Sequence, residues 1–79
     1  MEEKREKRPF DMLASSVNGN VLVKLKNGTE VRGKLLAYDV HMNLILEDAE
    51  ELEDGEVKRK IGTIILRGGN ILFMAPQKV

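Results

Sequence analysis

The sequence has no cysteine and a single histidine, His41, in 79 residues. The first absence excludes disulfides and thiolate metal sites, and one imidazole cannot by itself hold a structural zinc. Tryptophan is missing too, and the aromatic residues besides His41 are Phe10, Tyr38 and Phe73. No apolar run approaches the ~20 residues that a membrane-spanning helix needs. After Met1, residues Glu2–Arg8 are all acids and bases with no apolar member, so residues 1–8 read as a charged flexible tail without the apolar core of a secretion signal. A cytoplasmic protein with no membrane partner is the expectation.

A chain of this length is one small domain, and a domain of roughly 60 residues buries only about 60% of the surface its unfolded chain exposes. Disulfides, metals and partner subunits are the usual stabilisers at this size. With the first two excluded, oligomerisation comes first. Lysine plus arginine and aspartate plus glutamate number 13 each, for a formal net charge of zero. The distribution is uneven, because Glu47, Asp48, Glu50, Glu51, Glu53, Asp54 and Glu56 crowd one short stretch. A neutral chain can then present a basic surface while an acidic hairpin points elsewhere. A set of merely solvated faces fits the composition equally well.

Pro9 stands where a helix can begin without losing a hydrogen bond. Phe10, Leu13 and Val17 follow at helical spacing, predicting a short helix over about 10–17 that Asn18-Gly19 ends. From Asn20 the period becomes two, with Val21, Val23 and Leu25 on one face and Lys24 and Lys26 on the other. Asn27-Gly28 is a hairpin signal. The second strand, Thr29–Asp39, places Val31, Gly33, Leu35 and Ala37 together and Arg32, Lys34, Leu36 and Tyr38 opposite. Gly33 in mid-strand predicts a sharp bend of the kind that closes a small sheet into a barrel. A third strand over Leu44–Glu53 turns at Asp54-Gly55 into a fourth over Val57–Leu66. Arg67-Gly68-Gly69-Asn70 then leads to a fifth, Ile71–Ala75, closed by Pro76. The expected fold is mainly β, a short helix followed by a strongly bent five-stranded antiparallel meander.

The last two strands are apolar on both faces, at Ile64-Ile65-Leu66 and Ile71-Leu72-Phe73-Met74, where a half-solvated strand should alternate. An open sheet also leaves edge backbone groups unpaired. Both features fit pairing of the fourth strand of one copy with the fifth of the next, a head-to-tail contact that closes into a ring. A monomer whose strands wrap on themselves, with the helix over one face, is the alternative.

Catalytic chemistry has little to work with. Ser15 and Ser16 lack a base in the pattern, Asp39 and His41 are only two of the ligands a metal needs, and the carboxylates cluster in a hairpin, not around a pocket. Gly68-Gly69 is followed by no Walker-type lysine. No enzyme, cofactor, metal or small-molecule substrate is expected. Single-stranded RNA is a better match, since its bases stack on planar side chains and offer their edges to hydrogen bonds. His41 and Arg67 are planar groups in loops, Asn43 carries a donor and an acceptor on one amide, and Gly68 and Gly69 let a ligand approach the backbone. Singly, each is an ordinary loop residue; their joint presence in two loops of one small barrel shifts the balance.

The stretches Val21-Leu-Val-Lys-Leu-Lys-Asn-Gly28, Val31-Arg-Gly-Lys-Leu35 and Asp39-Val-His-Met-Asn43-Leu-Ile-Leu46, followed by Ile61-Gly-Thr-Ile-Ile-Leu-Arg-Gly-Gly-Asn70-Ile-Leu-Phe73, resemble the two motifs of the Sm and Sm-like proteins, archaeal members above all. The first motif spans about 20–49 and the second about 61–73, within an Sm domain over 9–79. The resemblance implies an SH3-like barrel capped by a helix and joined through its fourth and fifth strands into a ring, most often a heptamer. It further implies one uridine pocket per subunit at the rim of a central pore. His41 and Arg67 would sandwich the base, Asn43 would read its edge, and backbone around Gly68 and Gly69 would complete the pocket, with Asp39 and Asn70 supporting the loops. Archaeal relatives often carry aspartate at the position of Gly69. The function implied is a non-catalytic RNA-binding ring acting as an RNA chaperone or ribonucleoprotein scaffold. A ring that assembles proteins through its acidic hairpin, with little base-selective RNA binding, is the alternative.

Overall fold

A computed structural model describes residues 8–77. The tail expected over 1–8 lies outside them apart from Arg8, as do residues 78 and 79 at the end of the expected domain. Helix α1, Pro9–Ser16, starts on its proline and follows an extended Arg8. Two turns are too few for stability in isolation, so the helix holds by packing. Leu13 enters the core, Phe10 meets Tyr38 edge-on with ring centres 5.2 Å apart, and buried Ser16 donates to the Met12 carbonyl oxygen at 2.8 Å.

Five strands follow: β1 (Asn20–Leu25), β2 (Glu30–Tyr38), β3 (Leu44–Glu53), β4 (Glu56–Leu66) and β5 (Ile71–Pro76). All neighbouring strands are antiparallel, in the order β4-β3-β2-β1-β5. The first four make the expected meander. The fifth departs from it, crossing the sheet to pair with β1 and not with β4. That crossing curls the sheet around one core of Val21, Val23, Val31, Leu35, Leu44, Leu46 and Ala49 with Leu13 of the helix.

At Gly33, where the bend is expected, the register of β2 against β3 shifts. A Cβ on Gly33 would stand 3.1 Å from both the Ala49 Cα and the Glu47 carbonyl oxygen, tighter than an ordinary contact, so glycine favours the close approach of β2 and β3. Beside it β3 bulges at Asp48, which sits at φ +55°. Bulges sharpen local twist, and the shifts continue into β4 around Gly62 at φ +99°.

A further bulge corrects the faces read from β2. Leu35 pairs with Leu46 but Ala37 with Ile45, so Leu36 is an extra residue. Beyond it the alternation inverts. Ala37 turns out to solvent, and Tyr38 packs against the core instead of facing away from it. Phe10 and Phe73, although set in apolar stretches of the sequence, are 45% and 48% exposed.

The acidic stretch does not stand apart either. Arg32 meets Glu50 at 3.0 Å and Arg59 meets Glu51 at 2.7 Å, while Lys34–Glu47 and Lys58–Glu53 lie at 4.0 and 3.7 Å. Cross-strand pairing puts the acids of β3 beside the bases of β2 and β4. Exposed pairs of this kind contribute about 0–1 kcal/mol each, so their main effect is to cancel local charge.

The sheet ends at β4 on one side and β5 on the other. Along these two edges Val57, Ile61, Ile65, Leu72 and Phe73 are all exposed, Ile65 by 69%.

Candidate functional site

The β2–β3 connection is organised by one carboxylate. Oδ1 of Asp39 accepts from the backbone N–H of His41 at 2.8 Å and from that of Asn43 at 3.0 Å. Its Oδ2 accepts from the Asn43 side-chain amide, also at 3.0 Å. The Met42 N–H closes the turn on the Asp39 carbonyl at 2.9 Å, with Met42 at φ +65°. These donors favour the ionised form, and the Asn43 N–H, followed by the Asn43 amide, holds the Asp39 carboxyl below its ordinary value of 3.8.

Asn43 then bridges to the second loop. Its Oδ1 accepts from the Gly68 N–H at 2.7 Å. Gly68–Asn70 form a single 3-10 turn in which the Asn70 N–H donates to the Arg67 carbonyl at 2.9 Å. Contact between the loops is so close that a Cβ on Gly68 would overlap the His41 carbonyl oxygen. Gly69 is different, since a Cβ there meets nothing within 4 Å. Asn70 supports the loop through its backbone, its carbonyl accepting from the Lys26 N–H at 2.8 Å.

Asp39, His41, Asn43, Arg67 and Gly68 are thus drawn into one cluster, with Gly69 and Asn70 on the same turn. His41 and Arg67 are exposed, and among the described residues neither side chain makes a hydrogen bond or an ion pair. An asparagine amide has two donor hydrogens and two acceptor lone pairs. Asp39 and Gly68 take one of each, which leaves one donor beside one acceptor in a fixed orientation. A flip would set the NH2 against the Gly68 N–H and the oxygen against a carboxylate. Such a locked pair matches an N–H next to a C=O, the imide edge of uracil. It opposes the reversed order on cytosine, where a ring nitrogen acceptor adjoins an amino donor. Among the described residues no three His, Cys, Asp or Glu side chains gather as metal ligands.

One segment of the cluster was not visible in the sequence. Lys26 follows β1, and its contact with Asn70 exists because β5 pairs with β1. Register shifts between Lys24 and Leu25 in that pair, and the ladder runs on into the Asn70 turn. Alternation marks Lys26 as outward-facing but carries no sign of which loop it meets.

Residues 11–76 match the LSM domain. The chain is 52% identical over 69 residues to a "Putative snRNP Sm-like protein" of Methanococcoides burtonii, covering 87% of this chain and 96% of that one. The fold is similar to that of the Pyrococcus abyssii Sm protein solved in complex with a uridine heptamer, with a TM-score of 0.86 at 46% identity, covering 90% of this chain and all of that one. It is equally similar to the P. aerophilum SmAP1 heptamer, with a TM-score of 0.86 at 44% identity, covering 95% of this chain and all of that one. No helix among the described residues is long and apolar enough to cross a membrane.

Proposed function

The chain belongs to the LSM-domain family, and on that premise we propose that it is a non-catalytic ring protein that binds single-stranded, uridine-rich RNA and serves as an RNA chaperone or ribonucleoprotein scaffold. The observation that carries this reading is the Asn43 amide, locked between Asp39 and Gly68 with one donor and one acceptor unused. His41 and Arg67 are the two exposed planar groups on the loops that the amide joins, and they stack on the two faces of the base. Backbone at Gly68 and Gly69 lines the rest of the pocket.

The ring arises from the two open edges. In it, β4 of one copy pairs with β5 of the next, satisfying edge backbone groups and covering Ile65, Leu72 and Phe73. The heptameric P. aerophilum relative supports seven copies. The acidic hairpin that would serve a protein-assembly ring has its β3 glutamates in ion pairs, which favours the RNA reading.

Titration of oligouridine, oligocytidine and oligoadenosine at one salt concentration tests the proposal, with oligouridine expected to bind tightest. His41→Ala and Arg67→Ala should each weaken oligouridine binding with the ring mass unchanged. Stacking on an aromatic group is worth about 1–3 kcal/mol per base, so a loss of roughly ten-fold per pocket is expected. Parent-like affinity in both variants would remove these residues from the pocket.

A further inference from the structure

The charged side chains of the described residues are mostly accounted for by one another. Arg8, Lys24, Arg32, Lys34, Lys58 and Arg59 each lie within 4.0 Å of a carboxylate. Lys26, Lys60 and Arg67 are the described cations without an ion pair. Lys60 lies in β4 opposite Glu50, away from the loops. The other two stand at the loop cluster, Arg67 at its head and Lys26 bonded through its backbone to Asn70.

Lys26 is exposed, and the backbone that carries it is well fixed. The Leu25 N–H donates to the Thr29 carbonyl at 2.8 Å, the Gly28 N–H to the Leu25 carbonyl at 2.9 Å, and the Thr29 N–H to the Asn27 side chain at 2.9 Å. Hydrogen bonds link the Lys26 backbone to Asn70 and Asn70 to Arg67; the next residue, Gly68, is bonded to Asn43, and Asn43 to Asp39. Lys24, one outward position earlier, is held by Glu30 at 3.4 Å. An ammonium is a compact charge on a flexible stem, suited to a phosphate and not to reading a base edge.

We propose that Lys26 is a phosphate-binding residue of the same site, reaching from the β1–β2 turn to the backbone of the strand whose bases occupy the pocket. The proposal rests on the RNA-binding reading above. It divides the work between loops: Asn43 selects the base, while Lys26 adds a sequence-independent attraction that fades with salt.

The test is the salt dependence of oligouridine binding to the full-length assembled protein, compared among parent, Lys26→Gln and Lys24→Gln. Each phosphate contact on a single strand contributes about 0.7 to the slope of log K against log salt. Lys26→Gln should flatten the slope by at least that amount and weaken binding at low salt, with the preference for uridine over cytidine and the ring mass retained. Lys24→Gln should keep the parent slope. A parent slope in Lys26→Gln, while the parent protein still prefers oligouridine, overturns this inference and leaves the RNA reading standing. A parent that binds no oligonucleotide at low salt overturns both. Loss of base preference in Lys26→Gln also overturns it, by placing Lys26 on the base.

Discussion

At the residue scale the proposed site depends on an amide held at both ends, by Asp39 and by Gly68. Of the two, Asp39 carries the ionisable group, and the consequence is visible in pH. A carboxyl held below its ordinary value contributes stability above that value and loses it as pH falls through the depressed one. The Asn43 side-chain amide should therefore keep one NMR environment from neutrality to about pH 4 and change only below it. A change between pH 7 and pH 5 would contradict the lock. The two glycines of the second loop separate cleanly. Gly68→Ala drives a methyl group into the His41 carbonyl, so the loops must part, and oligouridine binding should fall at least ten-fold. Gly69→Asp enters open space, so fold and uridine preference should both survive. Calorimetric titration of the two variants side by side checks the contrast.

At the element scale most of the chain was legible because each strand's pattern and each turn's chemistry agree. The helix lies within a residue of its expected bounds at either end, and every strand end lies within one residue of expectation. What escaped was register. The extra residue at Leu36 inverts the faces of β2 beyond it, and no alternation count reveals a bulge that tertiary closure imposes. Pairing of β5 with β1 escaped for the same reason, and with it the place of Lys26 beside Asn70. The candidate site was legible as residue types, since Asp39, His41, Asn43 and Arg67 were read as loop residues; the hydrogen bonds that lock Asn43 were not. Gly33 was marked by its isolation in mid-strand, and there the register of β2 against β3 shifts. Gly33→Ala would crowd backbone atoms of β3, which must shift by a few tenths of an ångström to admit the methyl group. A destabilisation of about 1–3 kcal/mol is expected, read as a lower urea midpoint at fixed protein concentration.

At the scale of the whole molecule the two open edges and the exposed apolar residues along them belong together. Fully burying an isoleucine stabilises by about 1.5–3 kcal/mol, and a ring repeats that gain at every interface. Ile65→Asp replaces it with a charge left without a partner, so sedimentation should show the mass of one or a few subunits while circular dichroism keeps its β signature. A variant that still sediments as the parent assembly would move the interface away from β4. The head-to-tail arrangement has a further consequence for mixtures. A copy spoiled at β4 keeps a sound β5, so it can still dock on a normal neighbour while offering nothing for the next copy to dock on. It acts as a chain stop. The share of fully normal rings falls as the fraction of normal copies raised to the power of the ring size, so a minor dose of such a variant would be dominant over the normal chain.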